Sequence, residues 1–591
     1  MGEYMIKTVR NFSVISSRWN RGFARLAAPI FLGTVLATNL AVAADHSAVA
    51  TNVGEHAPKF DGGPGVAVYP DQSLELKMKI GSPFSVAAIG DLLESQPFST
   101  DTDPRIQFLV AKLRSADMTF ANLENTVFDF DKFGYYGLNL APKEVADDWA
   151  HMGIKMVSRA NNQRQSAPGI WEQFRQVERV GITHVGVGHS LGEARRARFM
   201  ATPKGLVGFI GVYAVGGTHD TCCAGGETIR VTKAQLAQIE AIKASILARR
   251  SEVEVPIPLP PADQRGVVNL FELTFALPGV KVVAPPAPRA WSEDFLGTPP
   301  KRPYDELTTA SLGSPVDGVE NTLHVTLYYG VTSKQMSVLR EIAHDSGSGG
   351  DLNAFGKHFR VMALPGEYSF DIDPQDLRQI LTQIKTAKEA CDFLAVNVHW
   401  HQNRYAFQHY SFDHFPADFE IRFAHAAIDE GADLVIGQGV HTIKGVEIYK
   451  DRVVYYGVSN YIFQSGLMPT MGYETGDLLA GYQGLPGTES PNPKPDGHGV
   501  VGLHQRQGLW EMRANLEALL GWSHYEGGRL SDVEIYPVDL GQTYRPTDHV
   551  GIPMEPSPAV ATKILDEVAA YSKPFGTQMQ IQDGVGIISI R

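Results

Sequence analysis

The sequence predicts an α/β fold of layered sheets and helices. Three observations carry that prediction. Strand-like and helix-like segments alternate from Phe84 onward, the pattern of a layered α/β domain. Several strands are continuous apolar runs, such as Phe393 to Val398 and Leu434 to Ile436, which suit strands covered on both faces. The runs stop at polar residues, where loops converge and chemistry collects in such folds.

The bulk properties fit this picture. The chain has 591 residues, room for two or more domains with substantial cores. Apolar residues make up 43% and charged residues 20%, ordinary for a folded protein. A formal net charge of −13 with no basic tail argues against a general nucleic-acid binder. Of the three cysteines, Cys222 and Cys223 are adjacent and Cys391 reads as a small core residue. The adjacent pair is open to a vicinal disulfide or to two thiols.

Residues 1–44 read as an export signal. Lys7, Arg10, Arg18, Arg21 and Arg25 precede an apolar run from Leu26 to Ala43, which ends in the small-x-small pattern Ala41-Val42-Ala43. Cleavage there leaves a periplasmic or secreted protein; an uncleaved anchor is the alternative. No later stretch reaches the ~18–20 apolar residues of a membrane span, so no stable transmembrane anchor is expected.

Residues 45–82 form a weakly patterned lead-in. A first half, 83–215, then opens with a strand, Phe84 to Ile89, ending at Gly90-Asp91. A helix over 105–115 leads to the strand Met118 to Ala121, followed by Asn122-Leu123-Glu124. The strand Ile154 to Ser158 runs into Asn161-Asn162-Gln163, and a helix over 169–180 precedes the strand Ile182 to Val187. A stretch over 216–366 reads as an inserted subdomain with two Pro-rich connectors, an amphipathic helix over 233–250, a strand over 323–329 and a helix over 333–342.

The second half, 367–465, is the most patterned. Asp373 caps a helix over 374–390, with Pro374 in its first turn. The strand to Val398 ends in His399-Trp400-His401. A helix over 416–430, stopped by Gly431, feeds the strand Ala432 to Gly437 and then His441. The strand Arg452 to Gly457 ends in Ser459-Asn460-Tyr461. A Gly/Pro-rich loop or lid covers 466–499, and a closing segment, 500–591, is read as strands over 509–516 and 530–538, a helix over 559–571 and a last hairpin.

Asp91, Glu124, Asn162, His399 and His441 therefore all follow buried strands. Singly, each has a structural explanation: a turn, a cap or a packed imidazole. Jointly, their oxygen and nitrogen donors suit a divalent cation such as Zn²⁺, Mn²⁺ or Fe²⁺. His401 offers a further ligand or acid, or else an exposed loop side chain; His409 and His414 are weaker candidates in the same loop. Arg159, Arg164, Arg404 and Lys444 lie near these segments and would favour an anionic substrate, unless they are solvated surface charges.

The segments Ala88-Ile89-Gly90-Asp91, Ala121-Asn122-Leu123-Glu124, Ser158 to Gln163, Val398-His399-Trp400, Ile428 to Gly437, His441 to Glu447 and Tyr456 to Phe463 resemble those of the CapA family. These are capsule and poly-γ-glutamate synthesis proteins with a calcineurin-like metallophosphoesterase fold. The resemblance implies an α/β (α+β) metallophosphoesterase-like two-sheet sandwich flanked by helices. It implies a metal cleft lined by Asp91, Glu124, Asn162, His399 and His441. His399, His401 and Gln163 are the candidate catalytic residues, His401 by its place in the sequence alone, and Asn161, Arg159, Arg164, Arg404, Lys444 and Asn460 are the candidate substrate contacts. The expected cofactor is a divalent ion, Mn, Zn, Fe or Mg, one or two per chain.

The sequence departs from the family pattern where Gln163 and Gly439 replace histidines and where His401 follows Trp400. Gln163 donates a hydrogen bond but supplies no proton. The resemblance thus implies a metal-dependent hydrolase acting on a phosphoester or γ-glutamyl amide. The alternative is a non-catalytic component that binds an anionic polymer and aids capsule synthesis, export or anchoring. Expected partners are an anionic small molecule or polymer and the capsule or polyglutamate synthesis machinery, with no nucleic acid.

Overall fold

Two sheets stacked face to face carry the chain. The computed structural model describes residues 76–129, 140–162, 167–217, 228–250, 264–282, 318–347, 349–402, 404, 414–464, 516–541 and 551–590, all within the unit Asp71–Arg591. The elements that matter for the site are, in order, β1 (Phe84–Leu93), α1 (Pro104–Ser115), β2 (Met118–Leu123), α2 (Glu144–His151), β3 (Met156–Ser158), α3 (Ala167–Arg179), β4 (Thr183–Val185), β5 (Gly205–Val215), β6 (Thr322–Val331), α4 (Pro374–Ala390), β7 (Phe393–His399), α5 (Asp418–Asp429), β8 (Leu434–Gln438), β9 (Arg452–Tyr455), β10 (Asn460–Phe463), β11 (Glu517–Glu526), β12 (Arg529–Asp539) and α6 (Pro558–Ser572).

The first sheet runs β12-β11-β1-β2-β3-β4, with β10 also paired to β1 and the C-terminal hairpin (Gln580–Gln582, Val585–Ser589) added beside β12. The second runs β6-β5-β7-β8-β9, extended by Val446–Tyr449 beyond β9 and by Lys357–Val361 and Leu352–Ala354 beyond β6. β1, β2, β3 and β4 are parallel, as are β5, β7, β8 and β9. Their C-terminal ends therefore share an edge within each sheet.

Side-chain alternation builds the layers. Val86 and Ala88 of β1 face the second sheet, in one cluster with Phe120, Phe209, Phe393, Leu434 and Ile436. Ala87 and Ile89 face the other way, under Ile106, Leu109 and Leu113 of α1. On the far side, Val396 and Val398 of β7 meet Ile380 and Ile384 of α4. The seam is closed by aromatic pairs, Phe120 on Phe209 at 4.7 Å and Phe84 on Phe393 at 5.4 Å between centroids. Cutting Phe120 or Phe393 to Ala would cost ~3–5 kcal/mol.

Local chemistry starts and stops the helices. Asp103 accepts from Arg105 N at the start of α1, and Asp373 from Gln375 N and Asp376 N at the start of α4, with a proline next in each case. The expected helices over 233–250, 333–342 and 374–390 have those bounds.

Two central strands differ from the sequence reading. β5 carries Gly205, Gly208 and Gly211, which dilute a strand signal, yet it sits mid-sheet. β11 was expected earlier in the chain, over 509–516, of which all but Leu516 lies outside the described residues. Ser459-Asn460-Tyr461, read as a polar turn, instead leads into the strand Asn460–Phe463 paired with β1. The stretch 216–366 forms a small sheet from Thr228–Arg230, Val267–Leu270 and Leu273–Ala276, and sends β6 into the larger sheet beside β5. Its Ile239, Phe275 and Leu339 join the same buried cluster as Val396. Cys391 is buried, and burial pushes its thiol up to about 12, so it behaves as an inert core residue. Cys222, Cys223, His409, both Pro-rich connectors and the 466–499 loop lie outside the described residues.

Candidate metal centre

The strand ends of both sheets converge on one cleft. β1 lies between β2 and β10, so Asp91 stands opposite Asn122 on one side and Asn460 on the other. Glu124 follows β2 directly. Across the cleft, β7 ends at His399, opposite Gln438 of β8, and the turn after β8 carries His441.

Close backbone approach makes this junction possible. A Cβ on Gly90 would stand 1.8 Å from the carbonyl oxygen of Ser459, so only glycine lets β1 meet the lead-in to β10. Asp91 N then donates to that same oxygen at 3.3 Å. His441 and Ser459 both hold positive φ, 54° and 65°, which costs a non-glycine residue about 1–3 kcal/mol each. The packed sheets on either side hold that strain.

The side chains form a connected set. Asn122 Nδ2 donates to Asp91 Oδ1 at 2.7 Å and lies 3.0 Å from His399 Nδ1. Gly439 N donates to Asp91 Oδ2 at 3.3 Å. His399 Nε2 is 3.1 Å from Asn162 Oδ1 and 2.8 Å from His401 Nε2. His441 Nδ1 is 2.7 Å from Asn460 Oδ1 and 3.4 Å from Asp91 Oδ2, and its Nε2 is 3.9 Å from Glu124 Oε1. Asp91, Glu124, His399, His401 and Asn460 are buried; the His441 side chain is 24% exposed and Asn162 is half-buried, so these two form the solvent rim.

The electrostatics ask for a cation. Burial alone would lower the His441 pKa, but the carboxylates of Glu124 and Asp91 outweigh it and raise it to about 9. Two buried carboxylates thus hold positive charge at the place where an ion would sit. The donor mix of carboxylate oxygen and imidazole nitrogen fits Zn²⁺, Mn²⁺ or Fe²⁺. Asp91, Glu124 and His441 offer three ligand atoms within 4.8 Å of one another, and so do Glu124, His399 and His401.

Asp91, Glu124, Asn161, Asn162, His399, His401, His441 and Asn460 all reach this cleft region. His401 is a buried member of it and not an exposed loop side chain. The basic residues fare differently. Lys444 is fully buried and clamps both oxygens of Glu420, at 2.9 and 2.8 Å, so it is not a substrate contact. Arg159 is also fully buried; it donates to Asn161 Oδ1 at 2.6 Å and to Gln173 Oε1 at 3.0 Å, and so positions the asparagine. Asn161 Nδ2 in turn donates to Leu123 O at 2.7 Å, tying the β3 end to the β2 end. Arg404 lies 3.6 Å from Glu367, and its carbonyl accepts from Tyr368 N. His414 Nδ1 contacts the Ile443 carbonyl at 2.8 Å and its ring stacks on Tyr571. Gln163 and Arg164 lie outside the described residues.

Asn122 was the residue missed. It lies two positions before Glu124 at a strand end, a spacing that puts both on one side of the strand. The imidazole that the family pattern carries at the position of Gly439 has no room here. A Cβ there would stand 2.8–2.9 Å from three atoms of the His399 ring, on a backbone at φ +90°.

Known proteins place the chain. It is 25% identical over 522 residues to protein y4sH of Sinorhizobium fredii, covering 86% of this chain and 93% of that one. It is 30% identical over 93 residues to the PGA biosynthesis protein CapA of Bacillus subtilis, but that is 16% of this chain and 22% of CapA. A crystal structure of a hypothetical protein from Thermus thermophilus aligns over 77% of this chain and 99% of that one, at 10% identity and a TM-score of 0.30, too loose a likeness to guide a reading of the site. The α/β sandwich of two sheets flanked by helices is the architecture expected from the sequence. The family model for the bacterial capsule synthesis protein PGA_cap matches residues 81–257 and 324–465, more than half of the chain, and the protein belongs to that family.

Proposed function

We propose that this chain is an exported, metal-dependent hydrolase that cleaves an anionic substrate, a phosphoester or a γ-glutamyl amide, in capsule or poly-γ-glutamate metabolism. One observation carries the reading: Asp91, Glu124 and His441, from three separate strand ends, bring ligand atoms within 4.8 Å of one another. These residues would hold a divalent ion, which would supply Lewis acidity and an activated water for hydrolysis.

The protein's own groups do the rest. Asn122 and the Gly439 amide hold the Asp91 carboxylate in place through both of its oxygens. Asn460 fixes the His441 ring from the other side. Asn162 and His399 stand side by side at the cleft, where an amide and an imidazole can orient a substrate oxygen and carry a proton. The two carboxylates by themselves would repel an anion. Among the described residues, Lys444 and Arg159 are committed to internal partners, so their charges are not offered to an anion.

The test is a screen of a chromogenic phosphodiester and a γ-glutamyl peptide, with and without added Mn²⁺ or Zn²⁺. Turnover that appears with the ion and vanishes on chelation supports the proposal. Full activity after exhaustive chelation, or unchanged turnover in Asp91→Asn, would sink it. Retained polymer binding with no turnover in any metal would favour the non-catalytic alternative.

A further inference from the structure

Beneath the cleft, the seam between the sheets turns from apolar to polar. Toward the first sheet, β7 presents Phe393, Ala395, Asn397 and His399 in alternation, and the first two lie in the apolar seam. Toward the second sheet, β3 presents Met156 and then Ser158, and β2 presents Phe120 and then Asn122. Asn397 and Ser158 are fully buried. Among the described residues, neither Oδ1 nor Nδ2 of Asn397 has a hydrogen-bond partner, and neither has Ser158 Oγ. We propose that Asn397 and Ser158 bind an internal water directly below the metal centre, and that through it Asn397 is a positioning residue for Asn122 and His399. This rests on the metal-dependent reading above and deepens it.

Strand register brings the two side chains together. Asn397 pairs with Gly211 of β5, in one row of the second sheet. A Cβ on Gly211 would stand 2.3 Å from Ser158 Oγ, so this hydroxyl reaches the backbone of the second sheet beside Asn397. Neighbouring strands lie about 4.8 Å apart, which puts the Asn397 amide within one water of the hydroxyl. Ser158 in turn pairs with Asn122, and Asn122 with Asp91. Phe120 packs on Phe209 across the seam, and the next inward positions on those two strands are Asn122 and Gly211. Asn397, Ser158 and Asn122 therefore share one level, a single step below His399.

The chemistry of these groups selects water. The amide offers a donor and an acceptor side by side and the hydroxyl offers both, which suits a neutral molecule that donates and accepts. An internal water takes about three polar partners, and a cation would be repelled by the amide N–H groups. Asn122 Nδ2 is committed to Asp91 Oδ1 at 2.7 Å and lies 3.0 Å from His399 Nδ1, while its Oδ1 accepts from Asn161 Nδ2 at 3.5 Å, the long limit of a hydrogen bond. A water at this level donates to that oxygen and keeps the amide turned the right way. Reversed, it would set its oxygen against the Asp91 carboxylate.

Stability alone gives no reason for an amide at 397. Phe393 to Val396 are all apolar, and a leucine of similar size would be buried without the desolvation that the amide suffers. Nor is Asn397 needed to tie the sheets together. Gln438, opposite His399, does so by donating to Ile89 O at 2.6 Å. A structural amide would be missed by the fold, and a positioning amide by the centre, so Asn397→Leu separates the two.

Crystals of the full chain, stripped of metal, are expected to show an ordered water about 3 Å from both the Asn397 amide and Ser158 Oγ. Asn397→Leu should keep or raise the urea midpoint of the metal-free protein and bind Mn²⁺ about 10-fold more weakly by calorimetry. Ser158→Ala should lose less, and the double variant no more than Asn397→Leu alone, because both act through one water. A lowered midpoint with unchanged Mn²⁺ affinity overturns the positioning role. Additive losses overturn the shared water, as does electron density with no water between the two side chains. Should Asn397→Leu not fold, Ser158→Ala is read in its place, and unchanged Mn²⁺ affinity there overturns the role. A parent that binds no Mn²⁺ overturns the metal-dependent reading and the positioning role with it, while the density still decides the water site.

Discussion

A methyl group on Gly439 would press on the His399 ring while sitting on a backbone that disfavours any side chain. Gly439→Ala is therefore expected to destabilise the protein by ~1–3 kcal/mol and to weaken metal binding, read by urea unfolding and metal titration. Wild-type affinity in that variant would mean that His399 tolerates displacement. Lys444 makes the opposite case. A basic residue three positions past His441 reads as a substrate contact, because nothing in its neighbourhood announces Glu420, which approaches from α5. Breaking that buried pair with Lys444→Ala should cost ~3–5 kcal/mol, whereas replacing both partners by Met and Leu should be close to neutral. If Lys444→Ala leaves stability alone and raises KM instead, the pairing described here is wrong. Asp91, Glu124, His399 and His441 were legible because each ends an apolar run. The partners that distinguish a ligand from a structural ion pair come from elsewhere in the chain and were not.

Two elements of the first sheet carry buried ionisable groups whose effects on stability run in opposite directions. Glu94, just past β1, is fully buried; burial, then the Asp148 carboxylate on α2, raises its pKa well above the ordinary value, while Trp149 Nε1 donates to it at 2.6 Å. The folded state favours the neutral acid, so stability is full below about pH 4.5 and declines as pH rises through the folded pKa. Glu94→Gln should gain on the parent as pH rises, and a constant difference from pH 5 to 8 would refute this. His184 of β4 stacks on Phe174 of α3 at 3.6 Å between centroids, with Nε2 2.9 Å from Glu178. Burial lowers its pKa to about 4, with Arg198 adding to the effect and Glu178 opposing it. Here the folded state favours the neutral ring. Stability is full above about pH 6.5 and is lost between pH 6.5 and 4, by at most about 3 kcal/mol. The parent-minus-variant difference for His184→Gln, measured by denaturant midpoint across that window, isolates this group. Helices were the easier elements to read, since Asp373-Pro374 marks a start and Gly431 a stop. β5 was hidden by its three glycines, which a strand tolerates mid-sheet only because neighbouring strands and side chains close over them.

For the molecule as a whole, an ion joining strand ends from both sheets would tie metal binding to folding. Free metal at ~100 times Kd should stabilise the native state by about 2.7 kcal/mol, seen as a rise in Tm that a chelator reverses. Asp91→Asn should abolish that rise, and a metal-independent Tm in the parent would remove the linkage. The layered architecture was legible in the alternation of apolar runs. The route of the chain was not: β1 sits beside both β10 and β11, strands that follow it by several hundred residues. This has a consequence for biosynthesis. The carboxylates of Asp91 and Glu124 leave the ribosome early, and the imidazoles needed to complete the grip emerge only after about three hundred further residues. A chain that stops before His399 would carry half a claw, so a gripped ion would report that synthesis had passed the second half of the site.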